Sequence, residues 1–104
     1  MTIFDPRDYI VPRFAIEEYG LKGNELLVYS FLFTYTDEGK SRVCCTTEDF
    51  EEATNISRQS VFNVLGSLKQ KGLIKREKFI LFDREHFGYS VKTPKNYKES
   101  ENGK

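Results

Sequence analysis

The residues with the plainest chemical use lie in the stretch NISRQSVFNVLGSLKQKGLIK, residues 55–75. Gln59 and Asn63 stand one helical turn apart, and each carries an amide that donates and accepts at once. That pattern pairs at two points with an adenine edge, and the guanidinium of Arg58 suits a guanine edge or a phosphate. Ser57, Ser60 and Ser67 add short hydroxyls to the same run, and Lys69, Lys75, Arg76, Lys78 and Arg84 add cations downstream. Amides and a guanidinium for base edges, with ammonium groups for phosphates, are the means by which a protein reads a duplex. The competing reading is a solvated polar face, which most exposed helices have.

Other chemistries lack their residues. A single histidine, His86, leaves no Ser/His or Cys/His pairing with local support, and no Gly-rich phosphate loop is present. Cys44 and Cys45 are adjacent, so an ordinary disulfide between them is geometrically poor, and with one His they match no familiar metal spacing. The chain is therefore expected to be no enzyme, with no catalytic residue, no metal and no cofactor. Reduced cysteines and an N-terminus with early acids and no apolar core region predict a cytoplasmic protein. No run of ~18 uncharged apolar residues predicts a membrane span.

Net charge is zero, which by itself argues against a nucleic-acid partner. The distribution argues the other way. Residues 1–40 hold four bases and seven acids, and residues 46–55 hold four acids and no base. Residues 57–78 hold six bases against one acid, Glu77, a local excess of five. Phosphate contact depends on such local charge.

Elements that could position these groups follow from periodicity. Residues 1–20 read as an extended arm, with a short helical turn over residues 15–19. Residues 23–36 (GNELLVYSFLFTYT) are apolar on nearly every side of a helix, so this helix is buried on several sides or meets another subunit. Gly39 ends that segment, and residues 41–45 form a candidate short strand. Thr46 or Thr47 caps a second helix whose first turn is acidic, with Phe50 and Ala53 facing inward. Asn55 suits the left-handed conformation of a sharp turn, and Ile56 fills the corner. Ser57 caps a third helix that Gly72 terminates. On a wheel of ~100° per residue, Val64, Leu65 and Leu68 fall near Val61, opposite Gln59, Asn63, Gly66 and Gln70. LIKREKFILF and FGYSVKT are then two strands joined across DREH, which makes a β-hairpin.

Two helices joined by a tight turn and followed by a hairpin make a winged helix-turn-helix: an α+β, mainly α fold of three helices plus a C-terminal β-hairpin wing. The expected organisation is an arm over residues 1–20, a DNA-binding domain over 21–93 and a flexible polar tail over 94–104. Several residues have plainer expectations. Phe62 is placed at the border of the core, against the second helix or the wing. Gly66 permits close packing or close approach of DNA. His86 is an exposed loop residue at the wing tip, and Lys92, Lys95 and Lys98 are solvated. Of Cys44 and Cys45, one is buried and one half-exposed.

Residues 19–39 (YGLKGNELLVYSFLFTYTDEG) and 46–77 (TTEDFEEATNISRQSVFNVLGSLKQKGLIKRE) together resemble the N-terminal winged-helix domain of phage and plasmid replication initiators and replisome organisers. The resemblance implies duplex binding at an origin or operator, with Arg58, Gln59 and Asn63 facing DNA. Replication and transcription both remain open as the process served. The expected partners are double-stranded DNA, a second copy bound through residues 1–36, and a replication or transcription protein. The alternative is a winged helix that docks only on protein, through its apolar arm or acidic second helix.

Overall fold

The computed structural model describes residues 10–95. The first part of the expected arm, and the tail beyond Lys95 with Lys98, lie outside the described residues. Helices α1 (Arg13–Glu17) and α2 (Gly23–Tyr35) precede strand β1 (Val43–Cys44). Helices α3 (Thr47–Thr54) and α4 (Arg58–Gln70) follow, then strands β2 (Ile74–Leu81) and β3 (Arg84–Val91). The sheet is antiparallel in the order β1-β3-β2. The architecture is an α+β winged helix, with a fourth short helix, α1, added to the three expected.

The all-round apolar helix α2 is used on all its sides. Val28 to Phe33 are buried in one unbroken run, against α1, α3, α4 and β3. The apolar excess that suggested a second subunit is thus covered within the chain. The expected arm supplies part of that cover, since Ala15 is fully buried, and Leu21 just after it is nearly so. The Phe14 ring stands edge-on to Tyr19, Tyr29 and Phe33, with centroids 5.6–6.2 Å apart. Such edge contacts add to area burial, so α1 packs as a piece of the core.

The sheet is fastened below the core by Tyr29, whose hydroxyl donates to the carbonyl of Lys92. Phe50 of α3 sits between Phe31 and Tyr89, edge to face with both. The same aromatic column therefore joins α2, α3 and the sheet.

The hairpin departs from expectation at its tip. DREH is not the connection: Leu81 pairs with Arg84, and only Phe82 and Asp83 turn, at φ of 53° and 63°. Two positive φ values in a row are what a two-residue hairpin turn needs to match strand twist. Asp tolerates that conformation and Phe does not favour it, so Phe-Asp carries no recognisable turn signature. His86 is consequently a β3 residue rather than a tip residue, and its ring stacks on Phe79, its cross-strand partner, at 5.7 Å.

Candidate nucleic-acid interface

The helix pair is set by local hydrogen bonds. Thr46 caps α3 by accepting from the Asp49 amide while the Asp49 carboxylate accepts from the Thr46 amide, a reciprocal box. Asn55 ends α3 in the left-handed region at φ 57°, and Ile56 behind it is buried in the corner. Ser57 caps α4, its hydroxyl accepting from the Ser60 amide at 3.3 Å and pairing with the Ser60 hydroxyl at 3.1 Å. Both serines are therefore engaged at the start of the helix.

Burial then orients α4. Val61, Val64, Leu65 and Leu68 face the core, leaving Gln59, Phe62, Asn63, Gly66 and Gln70 exposed. The Gln59 amide donates to the Asn63 amide oxygen at 3.3 Å, so the two groups lie side by side on the open face. Arg58 stands at the same end, with Nε 3.2 Å from a Glu51 carboxylate oxygen on α3. Ser67 points elsewhere. It donates to Glu25 of α2, the carboxylate that also takes the Lys71 ammonium at 2.8 Å. These two hydrogen bonds, chiefly that from Lys71, hold the Glu25 carboxyl below the usual carboxylate range.

The wing divides its cations between two faces. Ile74 and Tyr89 point inward, and alternation puts Arg76 and Lys78 on the same, helix-side face. Lys75 and Arg84 fall on the outer face. The Arg76 guanidinium lies 4.0 Å from the Phe87 ring centroid, a cation–π contact. Lys78 reaches Glu85 at 3.5 Å, Lys75 reaches Glu77 at 3.8 Å, and Arg42 also pairs with Glu77. Among the described residues, Lys69, Arg76 and Arg84 have no carboxylate partner. Between α4 and the helix-side face runs a cleft of about 320 Å³, bordered by Phe62, Gly66, Lys69 and Arg76.

The structure thus brings together Arg58, Gln59 and Asn63 at one end of α4, with Lys69 and Arg76 alongside. Ser67, Lys75 and Arg84 stand on other surfaces. Sequence reasoning missed the exposure of Phe62, 51% open where packing was expected. Its position on the edge of the apolar arc was the available signal. It also missed the acids Glu25, Glu51 and Glu85, which come from other elements and leave no local trace. Cys44 is exposed and Cys45 buried, and burial, helped by Asp49 and Cys44, pushes the Cys45 thiol far above its ordinary range. Among the described residues no three His, Cys, Asp or Glu side chains gather as a metal site requires, and no helix is long and apolar enough to cross a membrane.

The family profile of the MarR family matches residues 19–79, from the end of the α1 turn into β2 and more than half of the chain. The chain belongs to the MarR family. MarR-type winged helices are non-enzymatic regulators of transcription that bind double-stranded DNA and often dimerise. The MarR match covers the segment whose resemblance pointed to replication initiators, and it does not confirm that resemblance. Among solved structures the chain is similar to Stf76 from the Sulfolobus islandicus plasmid-virus pSSVx. The two share 25% identity over 80% of this chain and 97% of that one, with a TM-score of 0.48. No curated protein matches the sequence.

Proposed function

We propose that this chain regulates transcription in the cytoplasm by binding double-stranded DNA, with the N-terminal half of α4 in a major groove and the wing beside it. The observation that carries the reading is the amide pair Gln59–Asn63, open to solvent on a helix whose opposite face is core. Each amide exchanges its partner for an adenine edge without leaving the helix face. Arg58 exchanges Glu51 for a phosphate or guanine. That exchange is cheap, because an exposed pair of this kind contributes only ~0–1 kcal/mol. Lys69 and Arg76, which have no carboxylate partner among the described residues, meet phosphates beside it.

Dimerisation through the N-terminal segment is part of the proposal. Its support is the family's habit and the exposure of Ile10, Val11 and Ile16, about half open in each case. The surface of α2 adds nothing to it. One feature favours a protein partner instead: the wing tip, where Ile80, Leu81 and Phe82 are 62%, 46% and 88% exposed. The replication reading rests only on the resemblance of residues 19–39 together with 46–77.

Selection of bound sequences from random duplexes tests these readings together. The expected outcome is a single enriched motif, present as an inverted repeat if two copies bind with half-sites about one helical turn apart. No enrichment, with duplex binding absent at low salt, would overturn DNA recognition and leave the protein-docking alternative.

A further inference from the structure

We propose that the cleft between α4 and the wing seats the sugar–phosphate backbone of one DNA strand, and that Gly66 is bare so that this strand can lie against the helix. The proposal rests on the reading of the chain as a duplex binder and specifies where one strand runs.

The first observation is a glycine that the fold does not use. Gly72, after α4, holds φ +76°, where a side chain would be strained. Gly66 has no such excuse: it lies inside α4 in ordinary helical conformation, where glycine weakens a helix relative to alanine. A Cβ built there meets nothing within 4 Å. Neither backbone geometry nor internal packing calls for a missing side chain. What remains is close approach by something outside the chain.

The second observation is charge. Folding supplies carboxylates to Arg58, Lys71, Lys75 and Lys78 and supplies none, among the described residues, to Lys69 and Arg76. Those two cations line the cleft into which Gly66 opens. No Asp or Glu lines it, although Glu48, Asp49 and Glu85 line the neighbouring depression past Phe87. An uncompensated pair of cations across an acid-free cleft is complementary to an anion. The lining also contains apolar surface, the exposed ring of Phe62 and the half-buried ring of Phe87, which suits the deoxyribose between phosphates better than it suits a free phosphate. Phe62 lies one turn before Gly66, so the ring and the bare position follow each other along the path of the strand.

The test is a duplex titration of the full chain by fluorescence anisotropy at several salt concentrations, with a sequence enriched from random duplexes or, failing that, a generic duplex at low salt. Gly66→Ala is expected to melt a few degrees higher than wild type, because the helix gains a better former, yet to bind duplex about ten-fold or more weakly. A structural role would move both quantities in the same direction. The double variant Lys69→Gln/Arg76→Gln is expected to flatten the slope of log K against log salt by about two. The proposal requires both results: Gly66→Ala binding as tightly as wild type, or an unchanged slope in the double variant, overturns it while leaving duplex binding itself intact. Wild type that binds no duplex at any salt overturns the proposed function and this inference with it.

Discussion

Gln59 and Asn63 are worth separating from the cations around them, because the two kinds of contact fail differently. A lost amide contact removes discrimination between bases, at ~1–3 kcal/mol, while a lost phosphate contact weakens every sequence alike. Gln59→Ala and Asn63→Ala are accordingly expected to shift the motif recovered from random duplexes while leaving the salt slope unchanged. An unchanged motif in both variants would remove these amides from base recognition. At this scale the sequence is informative only over one helical turn. The amide pair is visible because its members share a helix face, as is the burial of Val61, Val64, Leu65 and Leu68 opposite. The Arg58–Glu51 and Ser67–Glu25 contacts join separate helices and have no such spacing rule behind them. The same is true of Phe62: its angle on the helix marks it as a border residue, and only the positions of α3 and the wing decide which side of the border it takes.

Among the elements, those closed by local chemistry were legible in advance. The Thr46–Asp49 box, the left-handed Asn55 and the Ser57 cap are each a side chain answering a backbone group within three residues. The hairpin tip was not legible, since Phe82 adopts a left-handed conformation that its own type disfavours and the cross-strand ladder imposes. The junction of α2 with α4 carries a pH prediction. Glu25 is only 22% exposed and has its carboxyl held below the ordinary range by Lys71 and Ser67. A carboxyl depressed on folding stabilises the folded state above its unfolded value, ~4.3, and that stability is lost as pH falls through the depressed folded value. Glu25→Gln is therefore expected to cost about 1 kcal/mol at neutral pH and to cost progressively less below pH ~4, read from urea unfolding across pH. A variant equally destabilised at pH 7 and pH 2 would refute the charge-based account of this junction.

For the molecule as a whole, a formal charge of zero conceals two opposite redistributions. The sequence concentrates bases in residues 57–78, and the fold then brings acids from α2, α3 and β3 to most of them. What survives is narrow: Lys69 and Arg76 on the cleft, and Arg58 in an exposed pair open to exchange. Aromatic residues were equally ambiguous in the sequence. The helix over residues 23–36 read as buried on several sides or as meeting a second subunit, and the α1 segment, α3 and the sheet bury its Tyr29, Phe31 and Phe33. Fold class was accessible because periodicity and caps are local; the reach of each charged patch was not, because it depends on which elements meet. The central claim, that α4 and the wing hold duplex DNA, is tested most directly by the affinity of the wild-type chain for its selected duplex across salt concentration. Three phosphate contacts, at Arg58, Lys69 and Arg76, predict a linear fall of log K with log salt of slope about −3. Binding that ignores salt, or no binding at all in dilute salt, would contradict the account.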